Sequence, residues 1–287
     1  MIVGELLALL LAVEPITIAG GGDVLLGRGV ERYIEANGPD AVVAGMARAL
    51  AGTDLALVNL EGPLSRCTAP APKRYPLHAD PRRVELLRAA HVDVVSLANN
   101  HALDCGSEGL VESVRVLREA GIAPAGVEES GPQPLVVMER RGRRIGVLAY
   151  SAVDDGAWEP RGPRYAMLLP SSLDEIRAAR TQVDVLVVSI HWGQEERTEP
   201  IRAQREWARR VVGAGADVVI GHHAHVLQPV EKVGDALVFY GLGNLVFDRS
   251  GPAGAVARIE VGDGAPRWKL LPIRIDGGRT VVEPTGR

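Results

Sequence analysis

Five of the seven histidines in this 287-residue chain stand in three short motifs: His101, His191 and His222-His223-Ala224-His225. Only His78 and His91 lie elsewhere. Carboxylates and amides cluster in the same way, in Gly22-Asp23, Asn59-Leu60-Glu61, Asn99-Asn100-His101-Ala102-Leu103-Asp104 and Gly243-Asn244. Imidazole nitrogen mixed with carboxylate and amide oxygen is a donor set for zinc, manganese or iron, whereas calcium and magnesium want mostly oxygen. The donors outnumber what one four-coordinate ion takes, so two divalent ions are expected. Two such ions share a carboxylate and activate a water for in-line attack on a phosphorus or carbonyl centre. Taken singly, each residue has a plainer role. An Asp or Asn after a strand is commonly a turn former or helix cap, and a lone His is commonly a packed or surface residue.

Their joint placement follows from the elements before them. Short, nearly continuous apolar runs cover residues 16–20, 55–59, 92–97, 145–150, 183–190 and 218–220, as in strands buried on both faces. Helical patterns fill residues 29–51, 81–90, 107–120, 171–181 and 201–214. Asp80 before Pro81, and Ser171 or Ser172 before Asp174 and Glu175, are start signals. This alternation predicts an α/β protein with a largely parallel core sheet. The strand ends carry Asp23, Glu61, Asn100, His191, the histidine triplet and Asn244. In open α/β sheets the carboxyl ends of the strands line one ligand crevice. A hairpin is expected around Arg141-Gly142. After residue 226 the helical signal stops, and runs at 226–232, 236–242, 255–261 and 268–275 predict a second, more antiparallel sheet. Long loops at 66–80 and 151–170 have a length more often functional than idle.

With 32 Lys+Arg against 36 Asp+Glu, the net charge of −4 gives no general attraction to nucleic acid or anionic membrane. No apolar run reaches transmembrane length. Residues 1–14 read either as a signal or anchor segment or as an N-terminal helix, and residues 15–287 as a single domain. The first reading implies an extracytoplasmic or cell-envelope location, the second a cytoplasmic one. Oligomeric state is left open. The motifs of serine hydrolases, Walker A proteins and dinucleotide-binding enzymes do not occur.

The ordered set Gly22-Asp23, Asn59-Leu60-Glu61, Asn99-Asn100-His101-Ala102-Leu103-Asp104, His191-Trp192-Gly193, Gly221-His222-His223-Ala224-His225 and Gly241-Leu242-Gly243-Asn244 resembles the CapA-type family of poly-γ-glutamate capsule-synthesis proteins, a branch of the calcineurin-like metallophosphatases. The resemblance spans residues 16–250, nearly the whole chain. It implies a four-layer αββα sandwich with the site at its upper edge. It also implies metal ligands at Asp23, Glu61, Asn100, His191, His223 and His225, with Glu61 at the bridging position and His101 as the catalytic histidine. Asp104 is expected to orient His101, the alternative being a cap for the helix after it. Asn59, Asn99, His222 and Asn244 are expected to support the ligands. Arg66, Lys73 and Arg74 fall where the family places substrate-facing residues, suited to a phosphoester or a polyglutamate-like polymer. The plainer reading is a solvated basic loop. Arg28 follows the first site loop and could reach the same anion.

Two positions depart from the superfamily pattern. Asp-x-His at the first strand is Asp23-Val24-Leu25, which removes one histidine, and the bridging Asp is Glu61, longer by a methylene. Cys67 and Cys105 lie in loops expected to converge at the site rim, close enough for a disulfide in an exported protein; two unrelated buried thiols are the alternative. Two functions therefore stand: a dinuclear metal-dependent hydrolase, and a non-catalytic envelope protein that binds or hands on anionic polymer with its assembly partners.

Overall fold

A computed structural model describes residues 14–154, 156, 162–262 and 264–284, without the side chains of Pro252 and Ala253. The expected leader or helix at the N-terminus falls at residues 1–13, outside the described residues. In chain order the strands are β1 (Ile16–Val24), β2 (Leu55–Leu60), β3 (Val94–Ser96), β4 (Ala123–Ala125), β5 (Val127–Glu128), β6 (Val136–Arg140), β7 (Arg143–Ser151) and β8 (Arg164–Tyr165). They continue with β9 (Val185–His191), β10 (Val218–His222), β11 (Val230–Val233), β12 (Ala236–Phe239), β13 (Asn244–Val246), β14 (Gly251–Val261), β15 (Arg267–Asp276) and β16 (Arg279–Val282). The helices are α1 (Arg28–Asn37), α2 (Asp40–Leu50), α3 (Val84–Ala89), α4 (Gly106–Glu119), α5 (Ser172–Arg180) and α6 (Arg202–Gly213).

Two sheets pack face to face. The first has the order β16-β15-β14-β1-β2-β3-β4, with β13 also pairing β1; the second has the order β11-β12-β10-β9-β7-β6. Side chains alternate across each strand, so a strand covered on both faces must be apolar at every position. In the second sheet Val147, Val187 and Ile220 face the first sheet and join the core under α1 to α4. Leu148, Val188 and Val219 point the other way, into a second core with Ile176 of α5 and Ala208 and Val211 of α6. The layers are thus α, β, β, α, the four-layer sandwich expected from the resemblance.

The elements follow local chemistry with a few differences. The 29–51 helix is two helices, because Gly38 at φ 82° and Pro39 end the first and start the second. Pro81–Arg83 forms a 3-10 turn capped by the Asp80 carboxylate, which accepts from the Arg82 N–H at 2.8 Å. Ser171 makes no side-chain cap on α5; the Ser172 hydroxyl instead accepts from the Leu169 N–H. Arg141 and Gly142, both at positive φ, turn the β6–β7 hairpin. The later strands do not build a separate sheet. β14 pairs antiparallel with β1 and carries β15 and β16 onto the edge of the first sheet, while β11 and β12 join the second. Within each sheet the central strands are parallel: β1 to β4 in the first, and β7, β9, β10 and β12 in the second. Their carboxyl ends share one edge.

Candidate metal centre

Two close backbone approaches set the floor of this edge. A Cβ on Gly22 would lie 2.0 Å from the Gly243 carbonyl oxygen, and one on Gly221 would lie 2.0 Å from that of Tyr240. Glycine is therefore demanded in the Gly22-Asp23 and Gly221-His222 motifs, and the Asp23 N–H reaches the Gly243 carbonyl at 2.9 Å. Next to His191, Trp192 is buried and donates its indole N–H to the Tyr240 carbonyl at 2.8 Å, which anchors the end of β9. His223 and His225 hold left-handed φ values of 86° and 56°. Strained backbone of this kind costs about 1–3 kcal/mol per residue and persists where the surroundings over-determine it. Here the Asp23 carboxylate accepts from the His223 N–H at 3.3 Å, and the His225 ring contacts the Phe247 ring with centroids 4.9 Å apart.

The donors fall into two groups. Ligand atoms of Asp23, Glu61 and His225 all lie within 4.8 Å of one another. His225 Nδ1 is 3.3 Å from Asp23 Oδ2 and its Nε2 is 3.6 Å from Glu61 Oε1. In the other group His191 Nε2 is 2.8 Å from Asn100 Oδ1, and the His191 and His223 ring centroids are 4.7 Å apart. Asn59 ties the groups together: its amide donates to Asp23 Oδ1 at 2.8 Å and lies 3.4 Å from His191 Nδ1. The Asn99 amide supports Asn59 Oδ1 at 3.1 Å, Asn244 Oδ1 meets His225 Nδ1 at 2.9 Å, and His222 Nδ1 is 3.4 Å from Asp23 Oδ1. His101 stands beside both carboxylates that concern it, with Nδ1 2.8 Å from Asp104 Oδ2 and Nε2 3.7 Å from Glu61 Oε1. Asp104 does not cap α4, whose N-cap is Cys105 without a side-chain bond.

This donor set fits divalent cations. Glu61 Oε2, His223 Nδ1 and His222 Nε2 are buried with no hydrogen-bond partner, and buried polar atoms of this kind call for a ligand or ion. The electrostatics agree. Burial opposes the Asp23 charge, yet bonds to His222 and His225 hold its carboxyl well below the usual range. Burial pushes Glu61 up to about 7. Burial also opposes charge on His225, but Glu61 and Asp23 together raise it to about 10. Burial, and then neighbouring His223, keep His191 well below the ordinary imidazole value, and burial followed by His225 brings His223 down to about 4. Neutral His191 and His223 present lone pairs that a metal can take directly.

The cationic loop behaves differently from its sequence expectation. Arg66 does not come to the centre; it lines a surface hollow with Pro81, Arg82, Glu85 and Arg115, because its N–H is fixed to Glu112 on α4. Lys73 turns inward, bonding the Asn100 carbonyl at 2.9 Å and pairing with Asp104, so its charge is taken up by the site's own frame. Arg74 is exposed and lies 5.0 Å from the Tyr75 ring centroid, with Arg28 at 5.7 Å on the same ring. Tyr75 and Phe247 were not singled out from sequence. The apolar run Leu245-Val246-Phe247 was the available signal for Phe247, which directly follows β13, the strand whose Asn244 and Val246 pair with Asp23 and Val24 at the end of β1. Cys67 and Cys105 are joined in a disulfide.

The family model described as bacterial capsule synthesis protein PGA_cap matches residues 17–249. The PGA biosynthesis protein CapA of Bacillus subtilis (strain 168) is 30% identical over 267 residues, covering 88% of this chain and 70% of that protein. The capsule biosynthesis protein CapA of Bacillus anthracis is 30% identical over 249 residues, covering 82% of this chain and 61% of that protein. Among solved structures, TT1561 of Thermus thermophilus matches with a TM-score of 0.51 and 14% identity, covering 89% of this chain and 99% of that one, a likeness of fold. The four-layer sandwich is shared with TT1561, and the chain belongs to the bacterial capsule synthesis protein PGA_cap family.

Proposed function

We propose that this chain is a metal-dependent hydrolase of phosphoesterase type, working with two divalent ions, zinc, manganese or iron, in capsule synthesis of the poly-γ-glutamate kind. The observation that carries this reading is the division of the buried donors into Asp23–Glu61–His225 and Asn100–His191–His223, with unpartnered Glu61 Oε2 left over. Asp23, Glu61 and His225 would hold one ion, Asn100, His191 and His223 the other, and Glu61 would serve both. Bound ions supply Lewis-acid charge at the scissile group and make water more acidic.

The remaining work belongs to this chain's own side chains. Asp104 accepts the Nδ1–H of His101 and offsets positive charge on the ring, so that a second proton, carried on Nε2, would be the one delivered to the leaving oxygen. Asn59 and Asn99 fix Asp23 and His191 in place through their amide chain. Arg74 offers a guanidinium group for an anionic substrate, phosphoester or polyglutamate-like polymer, whereas Arg28 is already paired with Asp248 at 3.3 Å. A cell-envelope location is supported by the Cys67–Cys105 disulfide, since such bonds persist in oxidising compartments, and by the capsule-synthesis names of the relatives.

One observation favours a non-catalytic role in binding or handing on anionic polymer during envelope assembly. Leu25, where the superfamily's first-strand histidine would stand, is buried in the core, so the first group lacks that nitrogen donor. His101→Ala separates the readings. Under the hydrolase reading it abolishes phosphoester turnover while metal content and polymer binding stay at wild-type level. A wild-type chain loaded with two ions that turns over no phosphoester or polymer amide would overturn that reading in favour of the binding role.

A further inference from the structure

Outside the centre, Cys67, Cys105 and His78 form the other tight group of metal-competent side chains among the described residues. Both sulfurs and a ring nitrogen of His78 lie within 4.8 Å of one another, and all three residues are partly exposed. The cysteines are 38 residues apart in sequence, with Cα atoms 5.8 Å apart. None of the three takes part in the centre at the strand ends. Two thiolates and an imidazole are soft-to-borderline donors that select zinc over calcium, magnesium or manganese. Around a tetrahedral zinc the sulfurs sit about 2.3 Å from the ion, which places them about 3.8 Å from each other. Side-chain rotation at the present Cα spacing reaches that separation, and the His78 ring is already alongside.

We infer that Cys67, His78 and Cys105 form a zinc site that opens when the disulfide is reduced, with a water completing the fourth position. The exchange balances. A dithiol reductant gives two electrons and two protons to the sulfur–sulfur bond, becoming a cyclic disulfide while two thiols form; zinc binding then releases those two protons and keeps both sulfurs as thiolates. Either linkage ties the 66–80 segment to the turn that carries Asp104. Cys105 follows Asp104 directly, the Leu77 N–H donates to Asp104 Oδ2 at 2.5 Å, and the Ala71 N–H donates to the Asp104 carbonyl at 2.7 Å. The hold of this segment on the His101–Asp104 pair would therefore survive reduction wherever zinc is present.

Cobalt(II) added to the full-length chain tests the site, because thiolate ligation gives a near-ultraviolet charge-transfer band that nitrogen and oxygen ligands lack. The oxidised chain should show no such band. After reduction with a trialkylphosphine, cobalt titrated past the two equivalents that the strand-end centre can take should produce it, and zinc should bleach it by displacement. His78→Ala should weaken cobalt binding at this band by about tenfold or more. That substitution leaves in place the His78 backbone that packs close to Gly27. No band in the reduced chain, or a band with the same affinity in His78→Ala, overturns the inference. The strand-end centre contains no sulfur, so either result leaves the hydrolase reading to be decided by its own test.

Discussion

Asp104 Oδ2 lies 2.8 Å from Nδ1 of His101, and the same carboxylate accepts the Leu77 N–H and pairs with Lys73. A fully buried carboxylate with three such neighbours cannot swing away from the imidazole. The opposite nitrogen, Nε2, is thereby held 3.7 Å from Glu61 Oε1, at the side of the metal donors. Asp104 thus links a loop, a turn and the ring that the proposed chemistry depends on.

Asp104→Asn keeps an oxygen for the Leu77 N–H but removes the charge that fixes the His101 proton on Nδ1. If His101 acts as general acid, kcat should fall about 10²- to 10⁴-fold. Metal content, which does not involve Asp104, should be unchanged by elemental analysis. A kcat within threefold of wild type would remove Asp104 from the mechanism.

Metal stoichiometry distinguishes the two donor groups. Protein purified without chelator should carry two ions per chain. Asp23→Ala should lose the ion held with His225, and His223→Ala the ion held with Asn100 and His191, each dropping the content to one. Glu61→Asp conserves charge but retracts the carboxylate by about one carbon–carbon bond length, ~1.5 Å. It should weaken at least one ion by about tenfold. Full occupancy and unchanged affinity in Glu61→Asp would mean that Glu61 does not span the pair.

Much of this centre was legible in the sequence because parallel strands buried on both faces announce where they end. The apolar runs stop at Asp23, Asn59, Ser96, His191 and His222, and the polar residues just beyond them fall on one edge. Arg66 and Lys73 were not legible in the same way. Their loop has no period, and its course is set by the Cys67–Cys105 link and the buried Asp104 carboxylate, both contacts distant in sequence. The position of β14 beside β1 was equally hidden, since an antiparallel strand late in the chain can join either sheet without changing its own pattern. The division of the 29–51 helix could have been read from Gly38-Pro39 alone.

The close approach of Gly22 to Gly243 predicts a coupled loss of stability and metal. In Gly22→Ala the new methyl would meet the Gly243 carbonyl oxygen at 2.0 Å, which forces β1 and the 241–244 segment apart. Overpacking of this kind costs about 1–3 kcal/mol or more. Asp23 is the next residue, so the displacement should also cut metal affinity. Urea unfolding of the metal-free variant measures the first effect and isothermal titration with zinc the second. A variant as stable as wild type would mean that the strands yield more easily than their backbone contacts imply.

Metal binding should release protons, with a pH dependence set by His225 and Glu61. In the metal-free chain His225 is raised to about 10, since Glu61 and Asp23 overcome the effect of burial, and Glu61 is raised to about 7, chiefly by burial. At pH 7, His225 therefore carries its proton and Glu61 is about half protonated. A cation seated between them must displace both, and each proton displaced weakens the apparent affinity about tenfold per pH unit lost. Between pH 7 and 10 one proton, that of His225, should be released per ion at this group. Between pH 5 and 7 Glu61 adds a second, so affinity should fall more steeply as the pH drops. His223, lowered to about 4, and His191, lower than its ordinary value, are already neutral in this range and add none. Titration calorimetry in two buffers of different ionisation enthalpy counts the protons directly. Heats that do not depend on the buffer at pH 6 would show that the ion binds elsewhere than between His225 and Glu61.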